Sequence, residues 1–144
     1  MKLQISSRIA IFALLDLAAP PARQLVVAEI GAKYGLSSHH LAKVMQVLGR
    51  AGLVRSVRGA RGGYQFRGNA RRTTLLDVIE LFEDLGPADA VESTSEGRAL
   101  HGVLAEIDDI ARATLGSITI ATMHKLVDRR RNGGRRTSAA NRIS

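Results

Sequence analysis

Apolar residues recur at intervals of three and four in several parts of this chain, which is the period of an α-helix. The first such segment covers residues 7–19 and stops at Pro20-Pro21. Asp16 interrupts its apolar run, which is also much shorter than the ~20 residues of a membrane span. We therefore predict a buried first helix rather than a secretory signal or a membrane anchor, and a cytoplasmic protein.

Two further helices are predicted downstream, joined by the turn Gly35-Leu36-Ser37. The first covers residues 26–34, and the second uses Ser37 as its N-cap and ends before Gly52. The second helix has apolar residues at helical spacing, which we expect to be buried: Leu41, Val44, Met45 and Leu48. Helix, turn and helix in this order indicate a helix-turn-helix motif.

Two short segments rich in branched and aromatic residues follow, at residues 53–57 and 64–66. This composition is typical of β-strands. The loop between them contains glycines, which permit a positive φ and a close backbone approach, and two arginines: Arg58, Gly59, Arg61, Gly62 and Gly63. The pattern predicts a β-hairpin that holds two guanidinium groups at its tip, the wing of a winged helix.

The polar face of the third helix carries side chains that can bind base edges or phosphates, namely His39, Lys43, Gln46 and Arg50. Arginines on a thin hairpin suit the narrow minor groove of DNA. The alternatives are an ordinary solvated helix face and a hairpin with solubilising arginines. The order of helix, turn, helix and wing favours DNA binding.

Charge is distributed unevenly along the chain, whose net charge is +8. Residues 1–72 hold 12 Lys or Arg and 2 acids, whereas residues 73–128 hold 3 basic and 11 acidic residues. Residues 129–144 add 6 arginines and no acid. The basic excess coincides with the predicted winged helix, as binding to DNA requires.

The pattern of the second half of the sequence predicts a short helix, a polar loop and a long helix. Thr74 and Asp77 form a capping box, and the helix that they open runs through Phe82 and stops at Gly86-Pro87. Residues 86–97 are polar. The long helix that follows repeats apolar residues over about four turns: Leu100, Val103, Leu104, Ile107, Ile110, Ala111 and Leu115.

This apolar stripe predicts self-association, because a two-fold dimer places two recognition helices about one DNA turn, ~34 Å, apart. Packing of the stripe on its own winged helix is the alternative. A short return helix at residues 120–127 and a disordered basic tail at residues 128–144 complete the prediction. The tail either attracts phosphates or serves as a solubilising terminus.

Composition excludes several classes of protein. The chain contains no cysteine, which excludes disulfides and thiolate-bound metals, and we expect no metal or cofactor. Its glycine loop lacks the Gly-Lys-Ser/Thr ending of a P-loop, and Asp108-Asp109 point to different helix faces. We therefore expect no enzymatic activity. A hydrophobic content of 45% with only 3% aromatic residues predicts a mainly α fold with an aliphatic core.

The segment Gly52-Leu-Val-x-Ser-Val-Arg-Gly-x-x-Gly-Gly-Tyr64 resembles the wing signature of the Rrf2 family of regulators, which includes IscR and NsrR. Met1-Lys-Leu, Ala13-Leu-Leu-Asp16, the run at residues 74–79 and the step at residues 118–120 are also similar, and the resemblance covers roughly residues 1–127. It implies a bacterial homodimeric regulator. It also places base contacts near Ser38, His40 and Lys43, and minor-groove contacts at residues 58–61.

The chain departs from this family where many members hold an iron–sulfur cluster with three cysteines. Here that loop has serines at 93 and 95, and Arg98 stands where the last cysteine would lie. An ordinary cluster is thus excluded unless these serines replace native cysteines. His101 occupies a position that is a ligand in some members, but one imidazole holds no metal without partners.

Taken together, these patterns predict a winged helix-turn-helix domain (residues 1–85), a polar loop (86–97), a dimerisation unit (98–127) and a tail (128–144). We expect a repressor that binds double-stranded DNA as a homodimer on a pseudo-palindromic operator. The wing site is taken as residues Arg58, Gly59, Arg61, Gly62, Gly63 and Tyr64. The alternative is a basic winged-helix protein that coats DNA or binds RNA without sequence preference.

Overall fold

The computed structural model describes residues 1–59, 62–86 and 92–140. The observed elements confirm the predicted mainly α fold with one small antiparallel hairpin. In chain order they are α1 (Ile5–Leu17), α2 (Val27–Tyr34), α3 (Ser38–Arg50), β1 (Val54–Ser56), β2 (Tyr64–Phe66), α4 (Leu75–Ile79), α5 (Ser95–Ser117) and α6 (Ile120–Ala140). None of the described helices combines the length and the apolar composition that a membrane span requires.

The hydrophobic core lies where α1 contacts α3, α4, α6 and β2. Its largest fully buried side chains come from several of these helices and include Leu14, Leu17, Leu41, Leu48, Ile79 and Ile120. Each such side chain contributes roughly 1.5–3 kcal/mol by leaving water. α1 is therefore the element on which α3, α4 and α6 pack.

α1 begins and ends two residues earlier than the sequence pattern predicts. Its start is explained by Glu83, whose carboxylate accepts hydrogen bonds from the buried hydroxyl of Ser7 and from the backbone N–H of Gln4, the N-cap residue. Its end is explained by Pro20, since a residue before proline is disfavoured in helical conformation. These contacts join the N-terminus of α1 to the segment after α4.

The predicted helix-turn-helix is confirmed. Gly35 ends α2 in the left-handed conformation with φ 64°. The Ser37 side chain accepts a hydrogen bond from the backbone N–H of His40, as an N-cap does. α3 has the predicted bounds and buries the four predicted apolar residues, Leu41, Val44, Met45 and Leu48.

α4 is shorter than predicted, although its capping box of Thr74 and Asp77 is present in both directions. The helix ends at Ile79 instead of continuing through Phe82. Beyond it, Leu81 N–H donates to the carbonyl of Val78 and Phe82 N–H donates to that of Ile79. These bonds span three residues, so the last turn tightens and leaves the α-helical path.

The two C-terminal helices are longer than predicted. α5 starts at Ser95, inside the predicted polar loop of residues 86–97, because the Thr94 side chain caps it by accepting from Gly97 N–H at 3.0 Å. The return helix α6 continues to Ala140, where the sequence predicts a disordered tail from residue 128. The extension contains Asn132-Gly133-Gly134, which are poor helix formers and usually end a helix, yet α6 continues through them between two groups of arginines, which are good helix formers.

The hairpin pairs Val54 with Phe66 and Ser56 with Tyr64, and its first strand is shorter than predicted. A third backbone segment joins it, since Leu25 forms an isolated antiparallel bridge with Tyr64. The turn returns through Gly62 and Gly63, with φ 61° and 139°. These values lie in the region that favours glycine, as the wing prediction requires.

Gly63→Ala is predicted to destabilise the hairpin strongly. A Cβ at Gly63 would lie 2.9 Å from the carbonyl oxygen of Leu25, and φ is 139°. We expect a loss of about 1–3 kcal/mol in the free energy of unfolding, measured in urea. Gly59→Ala is the control, because a Cβ there meets no described atom within 4 Å. Equal losses for the two variants would contradict the proposed backbone constraint.

Candidate nucleic-acid interface

The outer face of α3 presents a stripe of polar side chains opposite its buried face. His39, Lys43, Gln46 and Arg50 are exposed, and their spacing of three and four residues aligns them along the helix. Ser38, at the start of the helix, is exposed as well. Five of the six predicted recognition-helix residues therefore form a surface that is accessible to a macromolecule.

His40, the sixth predicted residue, has a different environment. It is half-buried, and its Nε2 lies 3.0 Å from the hydroxyl oxygen of Ser6. This hydrogen bond joins the first turn of α3 to α1 and helps to fix the orientation of α3. Sequence reasoning missed Ser6, because no local pattern reports a contact between residues 34 positions apart.

A polar cluster holds α2 against α1. The Asp16 carboxylate accepts hydrogen bonds of 2.8 Å from Lys33 Nζ and from the Tyr34 hydroxyl. The Tyr34 ring stacks on Phe12 with the ring centroids 4.9 Å apart. The bond to Asp16 raises the pKa of Lys33, whereas burial, followed by the same carboxylate, raises the pKa of Tyr34. Both partners thus keep their protons at neutral pH and support the helix-turn-helix.

The wing holds Arg58 and Gly59 exposed at its tip. Ala60 and the predicted site residue Arg61 lie outside the described residues. Gly62 and Gly63 are half-buried, and the carbonyl of Gly62 accepts a 2.7 Å hydrogen bond from Gln24 Nε2. This bond braces the tip against the segment between α1 and α2.

Tyr64, also a predicted wing residue, lies at the base of the hairpin rather than at its tip. It belongs to β2, is half-buried and packs against the hydrophobic core. Its backbone N–H donates to the carbonyl of Leu25 at 2.8 Å. This position indicates that Tyr64 supports the base of the wing.

An open cleft of about 590 Å³ lies between α3 and the hairpin. Gln46 and Arg50 line it from α3, while Arg55 and Arg67 line it from the hairpin side. The Arg55 guanidinium donates to Gln65 Oε1 at 2.8 and 3.1 Å across the two strands. Arg55 and Arg67 are not among the residues predicted from the sequence. Their positive charge, on either side of the glycine loop, is the sequence signal that could have identified them.

The apolar stripe of α5 divides into two parts. No residue of α5 is buried, and five members of the stripe are more than half exposed: Leu100, Val103, Leu104, Ile107 and Ile110. Ala111 is half-buried, and Leu115 packs against the core of its own winged helix. Packing within the chain therefore accounts for Leu115 and leaves an exposed apolar face on the first four turns.

The donor set around the start of α5 does not fit an iron–sulfur cluster. Such clusters require thiolates, and the whole sequence contains no cysteine. Arg98 donates to the carbonyl of Ser93 at 3.4 Å and to the hydroxyl of Ser95 at 3.2 Å. Among the described residues, no group of three or more His, Cys, Asp or Glu is placed to bind a metal.

The similarities of this chain to known proteins agree with the geometry of this surface. A family model described as "Rrf2: Iron-dependent Transcriptional regulator" matches residues 3–126. BadM, an HTH-type transcriptional regulator of Rhodopseudomonas palustris, is 50% identical over 135 residues, which cover 91% of this chain and 86% of BadM.

Two solved structures extend this similarity to the fold. CymR (YrzC), the global cysteine regulator of B. subtilis, has a TM-score of 0.76 and 26% identity, over 88% of this chain and 98% of CymR. The T. potens IscR structure has a TM-score of 0.67 and 29% identity, over 88% of each chain. The chain belongs to the Rrf2 family of DNA-binding transcriptional regulators.

Proposed function

We propose that this protein is a homodimeric repressor that recognises a pseudo-palindromic operator and works without an iron–sulfur cluster. The observation that carries the proposal is the shared surface of α3 and the hairpin, where exposed polar residues of one element adjoin exposed arginines of the other. In this arrangement α3 enters the major groove, and Arg58 and Arg61 enter the adjacent minor groove.

Sequence specificity is supported by the chemistry of α3. Gln46 can bond adenine in a bidentate manner, and Lys43 and Arg50 can bond guanine. Bidentate contacts of this kind discriminate one base pair from another, which a coating protein does not need. The competing function, non-specific binding of DNA or RNA, predicts similar affinity for every duplex.

Dimerisation is supported by the exposed face of α5. Its five apolar side chains are between 51% and 67% exposed, which is unusual for so continuous a patch on a monomer. A two-fold contact through this face buries the patch and pairs two copies of α3. We propose that bound dimers repress transcription by occupying promoter DNA.

Operation without a cluster is supported by the donor set, because serine and arginine replace the thiolates that a cluster requires. The iron dependence in the family's description is therefore not extended to this chain.

Specificity is tested with an operator selected from a pool of random duplexes. The proposal predicts that the protein binds the selected duplex at least ~10³-fold more tightly than random DNA at physiological salt. We expect the selected sequence to be pseudo-palindromic. A preference below about tenfold would favour the coating function instead.

The double variant Arg58→Ala and Arg61→Ala is predicted to weaken operator binding by about 1–3 kcal/mol for each arginine that contacts DNA. Fluorescence anisotropy with the selected operator measures the change. Arg98→Ala removes a positive charge from α5 and serves as the control, for which we expect little loss. Unchanged binding by the double variant would refute the role of the wing.

Replacing Leu104 and Ile107 with Asp is predicted to produce monomers, because burial of two unpaired carboxylates costs several kcal/mol. Light scattering measures the molar mass in solution. Asp109→Ala alters an exposed residue on the opposite face of the same helix and is expected to leave the dimer intact. A dimer that survives both aspartates would refute this interface.

Anaerobic incubation with ferrous iron and sulfide is predicted to leave the purified protein without cluster absorbance in the visible range. We also expect the affinity for the operator to be the same before and after this treatment. A visible charge-transfer band that remains with the protein after gel filtration would contradict the proposed independence from a cluster.

A further inference from the structure

The second half of α6 forms an arginine arm, which we define as residues 129–136. Every residue of the arm is exposed, and it contains no acid and five arginines: Arg129, Arg130, Arg131, Arg135 and Arg136. It lies beyond residues 3–126, the part matched by the family model. Within the described parts of the chain, none of its guanidinium groups forms a hydrogen bond or an ion pair.

The helix that carries the arm contacts the winged-helix domain at a defined position. His124, near the start of α6, lies with Nε2 2.8 Å from the carbonyl oxygen of Leu15 in α1. Two turns further, Arg131 forms one wall of a cleft of about 600 Å³. The opposite wall is the segment between α1 and α2, including Pro21 and Arg23.

The charges that line this cleft are only partly compensated. Lys33 is paired with Asp16 at 2.8 Å, and Glu29 accepts from the N-cap backbone of its own helix. Arg23 and Arg131 are both exposed and have no described partner for their guanidinium groups. The cleft therefore presents two free guanidiniums, the groups that bind phosphate oxygens most effectively.

The cleft adjoins the wing through the segment that contains Arg23. The next residue, Gln24, donates to the carbonyl of Gly62 in the wing turn at 2.7 Å. Leu25 then bridges to Tyr64 in β2. Exposed arginines are thus present on the wing (Arg58), on this connecting segment (Arg23) and on the arm (Arg131), a series that we call the cationic path.

Helix geometry divides the arm into two opposite faces. Arg131 lines the cleft, and Arg135, four residues later, extends from the same face of the helix. Arg129 and Arg136 are seven residues apart and lie roughly opposite. The arm therefore offers two arginine pairs of equal charge, of which only one continues the cationic path from the wing.

We propose that the cleft and the face of Arg131 and Arg135 bind the DNA phosphate backbone beyond the segment that the wing contacts. This inference rests on the proposed mode of DNA binding through α3 and the wing. Guanidinium–phosphate contacts strengthen binding to any sequence, since phosphates carry no base identity. The arm thus adds affinity without specificity.

The test compares two double variants. The first combines Arg131→Ala and Arg135→Ala, and the second combines Arg129→Ala and Arg136→Ala. Both remove the same charge, and alanine preserves helix propensity. Binding of each variant to a random-sequence duplex is measured by fluorescence anisotropy from ~50 to ~300 mM salt, a range over which the screening of charges changes strongly. The first variant is expected to reduce the slope of log K against log salt by about 2, and the second by much less.

Equal reductions by the two variants would overturn the proposal. They would indicate a general effect of positive charge, or attraction to any acidic partner, and not a DNA path along one face of the arm. No reduction by the first variant would overturn it as well. The outcome is independent of the operator proposal, since random DNA is the probe. If the operator preference of the first variant also changed, the arm would contact bases, contrary to the proposal.

Discussion

The proposed DNA-binding surface depends on the packing of α1 against α3. The buried face of α3, including Leu41 and Leu48, fills the core beside Leu14, and the exposed stripe on its other face follows from that orientation. The bond between Ser6 and His40 joins the same two helices at the surface. Because protein cores are close-packed, loss of volume at this contact is expected to shift the exposed stripe of α3.

The wing depends on a different kind of constraint, namely backbone geometry. Gly63 is in contact with the segment between α1 and α2, and its φ of 139° excludes a side chain without strain. That segment also supports the cleft below the arginine arm. This stretch of chain thus follows α1, contacts the wing, and lines the cleft together with Arg131 of α6.

Local signals in the sequence predicted the elements whose ends are set by nearby residues. Ser37 and the glycine after α3 fixed its bounds, and the Thr74–Asp77 capping box fixed the start of α4. The end of α4 was missed because tightening of a last turn leaves no clear pattern. The full length of α6 was missed because Asn132-Gly133-Gly134 is typical of a helix end, whereas the helix continues through it. The contact between Glu83 and Ser7 spans 76 residues and is a tertiary property.

The apolar period of α5 predicted the stripe, but periodicity alone does not reveal which members face the core. The structure assigns Leu115 to the core of its own domain and leaves Leu104 exposed. The same limit applies to the wing residues, since composition predicted a hairpin without separating Tyr64 at its base from Arg58 at its tip.

Methylation protection of the bound operator tests the central claim most directly, because dimethyl sulfate modifies guanine N7 in the major groove and adenine N3 in the minor groove. The account predicts two regions of guanine protection about 10–10.5 base pairs apart, each with adenine protection beside it on the wing side. Protection confined to one groove, or spread evenly along the duplex, would contradict simultaneous binding by α3 and the wing.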